Sequence, residues 1–158
     1  MGTPGGSSGA SGETVARQQL MRACVHATES ELEAAVTALG RIPAAVEIRP
    51  LQTGLVMLRG RIGGNGRPFN VGEATVTRAA VQLATGAIGV AYHLGRSQRC
   101  AHLSALLDAL GQDDRYRGKL EAGLVAPVMA RAAEAEARAR AETAATRVDF
   151  FTLVRGED

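Results

Sequence analysis

Apolar and polar positions change their period twice along the chain, from helical to alternating near Pro43 and back to helical near Ser97. From Glu13 to about Ala27, Val15, Leu20 and Val25 stand among Arg17, Gln18, Gln19 and Arg22, which predicts an amphipathic helix. Thr28 with Glu31, or Ser30 with Glu33, offers a capping box, in which a hydroxyl accepts a free backbone N–H and the carboxylate reaches back. A second helix follows, with Leu32, Ala35, Val36 and Leu39 on its buried face and Gly40 as a left-handed cap.

Beyond Pro43 the spacing predicts one strand through Val46, Ile48 and Leu51 and another from Leu55 to Ile62, with Gln52, Thr53 and Gly54 turning between them. In the second, Val56, Leu58, Gly60 and Ile62 share one face and Met57, Arg59 and Arg61 the other, as in a sheet buried mainly on one side. A hairpin comes next. Thr75, Thr77, Ala79, Val81 and Leu83 alternate with Val76, Arg78, Ala80 and Gln82, and the Thr85–Gly86 turn leads into Ile88, Val90, Tyr92 and Leu94.

Ser97 caps a third helix whose stripe is Cys100, Leu103, Leu106, Leu107 and Leu110, ending at Gly111. Asp113 to Leu124 reads as a short helix. Pro127 to about Thr146 reads as a long, partly exposed one, with Glu134/Arg138 and Glu136/Arg140 four apart in the favourable order. Val148 to Val154 is β-branched and aromatic, a strand or an extended docking segment. The fold class is therefore α+β: an antiparallel sheet in the middle of the chain, with helices from both ends packed against it.

Composition narrows the function classes. At 158 residues the chain suits one domain, here 13–158, preceded by a Gly/Ser-rich tail at 1–12 expected to be disordered. No apolar run approaches the roughly 20 residues that cross a bilayer, and the start lacks the pattern of a secretory signal, so a soluble, cytoplasmic protein is expected. A net charge of +2 and 3% aromatic residues argue against nucleic acid as a partner. Cys24 and Cys100 fit no metal-ligand spacing and read as small apolar helix residues.

Candidate chemistry is sparse. Gly63, Gly64, Asn65 and Gly66 could turn N–H groups toward a phosphate, but without a P-loop ending they fit a hairpin turn better, Gly66 supplying positive φ. Arg96 and Arg99 sit at a helix start, where cations are unfavourable, so an anion should offset them: a substrate phosphate, or a carboxylate, with a subunit boundary the favoured place for it. Arg78, inside a strand five residues after Glu73, suits a structural ion pair or an interface contact. Arg78, Arg96, Arg99, Gly64 and Gly66 are thus the candidate ligand contacts, and Phe150, Phe151, Leu153 and Arg155 the candidate partner contacts. His26, His93 and His102 do not converge on a metal, and no nucleophile–base set stands out; Glu73, Asp108 and Asp149 are isolated carboxylates.

Several segments in order carry a resemblance. Thr-Gly-Leu-Val-Met at 53–57, Gly-Gly-Asn-Gly-Arg-Pro-Phe at 63–69, Gly-Glu-Ala-Thr-Val-Thr-Arg-Ala-Ala-Val at 72–81, Leu-Gly-Arg at 94–96, Ala-Leu-Leu-Asp-Ala at 105–109 and Arg-Val-Asp-Phe-Phe-Thr-Leu-Val-Arg-Gly at 147–156 resemble the PhnG family of carbon–phosphorus lyase subunits, from about Val15 to Asp158. The resemblance implies a role in phosphonate breakdown beside subunits H, I, J and K, with L as an accessory. In that family G, H, I and L couple a phosphonate to ATP, displacing adenine and leaving ribose 1-phosphonate 5-triphosphate. Nucleosidase-type chemistry belongs to I, and radical cleavage with an iron–sulfur cluster to J. ATP is then a co-substrate of the complex, with no cofactor in this chain. A helper subunit, a subunit lending nucleotide- or phosphonate-binding residues to a shared site, and a free-standing enzyme remain as alternatives, in that order of preference.

Overall fold

A computed structural model describes residues 7–62 and 66–146. In chain order the elements are α1 (Ser7–His26), α2 (Glu29–Ala38), β1 (Ala45–Gly60), β2 (Phe69–Leu83), β3 (Ile88–Leu94), α3 (Gln98–Gly111), α4 (Asp114–Leu120), a π-helical turn (Glu121–Val125) and α5 (Ala126–Ala145). The fold is α+β, with the antiparallel sheet in mid-chain, in the order β1-β2-β3, and helices before and after it.

The core is organised around α3. All five expected stripe residues are buried, and so are Ala101, Ser104, Ala105, Asp108 and Ala109, so this helix is enclosed on nearly every side. One side lies on β3 and β2, against Ala79, Val81, Leu83 and Ala91; α1, α2 and α4 pack on the rest. Only Gly fits at 89. A Cβ there would overlap the Ala105 carbonyl oxygen and stand 2.6 Å from the Ala109 nitrogen, so the helix backbone rests directly on the strand.

Asp108 fastens that contact. It is buried, accepts the Val90 N–H at 2.9 Å and takes both Nε and Nη2 of Arg17 at 2.7 Å, tying α1, α3 and β3 together. Gln112 donates to the Ile88 carbonyl at 2.7 Å. Two outward backbone groups of β3 are therefore occupied by side chains from α3 and its cap, which closes this edge of the sheet where the helix crosses it.

Local signals account for the helix ends. The Thr28/Glu31 capping box is present, Ser97 accepts the Cys100 N–H, and Gly40 follows α2 with φ of 73°. Arg131 reaches back from α5 to pair with Glu31 and to donate to the His26 carbonyl. Hydrogen bonds, first from Arg131 and then from the Thr28 N–H, hold the Glu31 carboxyl well below the usual range, at about 2.

Several boundaries differ from the sequence reading. Helix α1 begins at Ser7 rather than Glu13, taking in part of the Gly/Ser-rich segment. Its buried stripe is Leu20, Ala23 and Cys24, continued by Ala27 just past its end; Val15 and Val25 point into solvent. The two strands expected at 46–62 are one strand. Thr53 and Gly54 pair in register with Thr77 and Val76, and the irregularities fall on either side, between Leu58 and Arg59 and at bulges between Glu47 and Gln52 that spare Pro50 a ladder position it cannot fill. The short and long C-terminal helices are continuous, because the π-helical turn widens the coil just before Pro127, whose ring would otherwise meet the carbonyl of Gly123.

If α3 must rest on β3 backbone to backbone, Gly89→Ala will destabilise the fold by about 2 kcal/mol or more, as overpacking against rigid backbone does. Gly54→Ala, with open space around its Cβ, will stay within about 0.5 kcal/mol. Urea unfolding of the two variants checks the contrast; equal midpoints would remove the proposed close contact.

Candidate functional site

The sheet outgrows its helical cover. Beyond Thr53 and Thr77, β1 and β2 continue as a two-stranded arm about 25 Å long at roughly 3.3 Å per residue. Neither face of the arm is covered: Leu55 is 64% exposed and Met57 53%, and Val56 and Leu58, on the other face, are exposed too. The expected one-sided burial therefore fails at this end of β1, because α3 starts beside the root of the arm and runs away from it. Toward the tip, Ile62, Phe69 and Val71 are exposed as well.

A polar joint stiffens the root of the arm. Thr77 is fully buried; its hydroxyl lies 2.9 Å from that of Thr53 and donates to the Gly95 carbonyl at 2.9 Å. The Gly95 N–H returns a bond to the Thr75 carbonyl at 2.8 Å, and its φ of 99° makes the bend from β3 toward α3 possible. The arm thus leaves the domain at an angle set by β1, β2 and the β3–α3 bend together.

At the base, the sheet face turned away from α3 is also open and apolar. Val46, Ile48, Val90, Tyr92 and Leu94 are exposed there. Two adjoining hollows, about 270 and 360 Å³, lie on it and share Arg78 and Tyr92 as their common wall. The first is bounded by Ile48, Arg49, Pro50 and Val90, the second by Gln52, Gly54, Val56 and Val76. Arg78, the residue opposite both Gln52 and Tyr92, is held by the Gln52 side-chain oxygen through Nε, at 3.0 Å, and Nη2. Glu73 is not its partner, since five residues along a strand place the two on opposite faces.

The other sequence candidates lie apart from this surface. Arg99 is met by a carboxylate of its own chain, Glu33 on α2, at 2.7 Å; the subunit boundary anticipated for that contact is not involved. Glu29 approaches the same helix start, accepting from the Ser97 hydroxyl at 3.3 Å. Acidic residues of α2 thus offset the cation beside the α3 N-terminus. Arg96 is exposed in the bend, with no polar partner among the described residues. Gly66 sits at the hairpin tip, about 30 Å along β2 from Arg78. A Cβ there would strike the Ile62 carbonyl oxygen. Gly64 lies outside the described residues, as do Asp149, Phe150, Phe151, Leu153 and Arg155. The residues 78, 96, 99 and 66 do not converge.

Two further groups have structural work. Asp108, one of the isolated carboxylates, is engaged by Arg17 and the Val90 N–H. The Cys24 thiol is pushed up to about 12, chiefly by burial, which keeps it protonated and unreactive near neutrality. Among the described residues no three His, Cys, Asp or Glu side chains gather as a metal site would need, and no helix is long and apolar enough to cross a membrane.

Comparison with known proteins gives the family. The family model described as "Phosphonate metabolism protein PhnG" matches residues 15–156. The chain belongs to the PhnG family. A relative from Rhizobium meliloti (strain 1021), "Alpha-D-ribose 1-methylphosphonate 5-triphosphate synthase subunit PhnG", is 49% identical over 142 residues, 90% of each chain. The resemblance read from the ordered segments is thereby established, and the relative is, by its name, one subunit of a synthase. Within this PhnG-family chain the match spans the arm, its threonine joint and the open face alike.

The joint gives a test of how the arm is held. Thr77→Val keeps the shape but leaves the Gly95 carbonyl without its donor, so stability will fall by about 1–2 kcal/mol, while Thr77→Ser, which keeps the hydroxyl, will lose less than half of that. Thermal unfolding of both variants measures it. Equal losses would mean that the methyl, not the hydroxyl, holds the joint.

Proposed function

We propose that this chain is a non-catalytic subunit of a synthase that couples a phosphonate to ATP, and that it acts by docking its two-stranded arm into partner subunits. In the coupled reaction the bond between the anomeric carbon of the ribose and adenine breaks, adenine leaves with a proton, and a phosphonate oxygen bonds to the same carbon. The product is ribose 1-phosphonate 5-triphosphate. The observation that carries this reading is the arm itself: two strands with Leu55 and Met57 on one face and Val56 and Leu58 on the other, all exposed. A two-stranded ribbon has no stability of its own to offer in water, and one that is apolar on both faces is a binding element.

Charge supports the same reading. Residues 45–83 hold five arginines, at 49, 59, 61, 67 and 78, against the two glutamates Glu47 and Glu73, an excess larger than the net charge of the whole chain. A basic rim around an apolar ribbon suits a partner groove bordered by carboxylates. By family resemblance the partners are subunits H, I, J and K, with L as accessory, in the cytoplasm. Nucleosidase-type chemistry falls to I and iron–sulfur radical cleavage to J, and ATP is the co-substrate of the assembly rather than a ligand of this chain alone.

Co-expression with H, I and L tests it. A Val56→Asp/Leu58→Asp variant will keep its unfolding midpoint, because both side chains already stand in solvent, yet will no longer copurify with its partners, and adenine release from ATP and methylphosphonate will drop at least tenfold. A variant that copurifies at full yield, or adenine release by the isolated wild-type chain, would overturn the reading.

A further inference from the structure

The open face at the base of the sheet runs onto the root of the arm, sharing Gly54, Val56 and Val76 with it, and points to a particular kind of partner element. In one layer, α3 covers the sheet; among the described residues no second layer lies across from it, although that face exposes Val46, Ile48, Val90, Tyr92 and Leu94. Its charged residues are Arg49 and Arg78 alone, since Glu47 and Glu73 fall on the opposite face by register. Arg78 stands at the centre, its guanidinium fixed by Gln52 and not neutralised by any carboxylate among the described residues.

We propose that this face seats an amphipathic helix from another synthase subunit, with an Asp or Glu between two apolar anchors, the carboxylate received by Arg78 and the anchors entering the hollows on either side. The hollows are centred near Pro50 and Gly54, about 13 Å apart along β1, a distance that about two and a half turns of helix span. Gln52 already takes Nε and Nη2 of Arg78, leaving Nη1 to receive the incoming carboxylate. A second strand layer fits less well, because Tyr92 and Arg78 rise as a ridge between the hollows where a flat sheet would need interdigitating rows. The inference rests on the docking reading above and names the element that the open face receives.

A photoreactive benzoylphenylalanine in place of the exposed Tyr92, in the chain co-expressed with H, I and L, tests it directly. The expected result is a cross-link to a helical segment of another subunit that bears an Asp or Glu within one turn of the linked residue. Arg78→Glu will reduce the cross-link at least tenfold and Arg78→Lys less than threefold, with circular dichroism unchanged in both. Copurification without any cross-link from position 92 would overturn the inference while leaving the docking reading standing. A cross-link to a strand or to a second copy of this chain would overturn it too, and failure of the wild-type chain to copurify would remove both.

Discussion

The contact between α3 and β3 sets the terms for the rest of the molecule. Because residue 89 has no side chain, the helix backbone can approach the strand closely, and Asp108 then satisfies Val90 and Arg17 at once. A buried carboxylate is tolerable only when paired and hydrogen-bonded, and here both conditions are met by elements that must be in place for the core to close. The same contact occupies outward groups of β3, so one sheet edge and one sheet face are taken up by α3 alone.

What α3 does not reach stays open. It starts at Gln98, just past the bend at the root of the arm, and runs away from it over β3 and the second half of β2, whereas β1 and β2 run on in the other direction to Gly60 and Phe69. Exposed apolar surface costs roughly 25 cal/mol per Å², so a chain that displays Leu55, Met57, Leu58, Tyr92 and Leu94 on one sheet keeps a standing drive toward association. The threonine joint ensures that the displayed surface is held in a fixed direction instead of collapsing onto the domain. On the docking proposal, this PhnG-family chain acts through geometry offered to partners, with the basic residues of β1 and β2 favouring acidic partner surfaces.

Much of this was legible in the sequence. The helical and alternating periods, the Thr28/Glu31 box, the Ser97 cap and the α+β class all follow from local rules, because each depends on neighbours within a turn or a strand. The break expected at Gln52–Gly54 was not there, since those turn-prone residues are held in the ladder by β2, a partner distant in sequence. Arg99 illustrates a different limit. Its need for an anion was readable from the helix start, but the identity of Glu33 depends on how α2 lies beside α3, which no local pattern states. The open face was missed for a related reason: alternation shows that a strand has two sides, not which of them a helix will cover. The ordered segments that resemble the PhnG family supplied what the residues could not, a reaction for the assembly as a whole.

The central claim is that the uncovered sheet is the surface by which this chain joins its complex. Amide hydrogen exchange, compared between the isolated chain and the chain assembled with its partner subunits, tests it most directly. The account predicts slowed exchange on assembly in residues 53–60, 69–76 and 92–94, with α3 already protected in both states. Slowing confined to α4 and α5, with those strand residues exchanging as fast in the complex as alone, would contradict it.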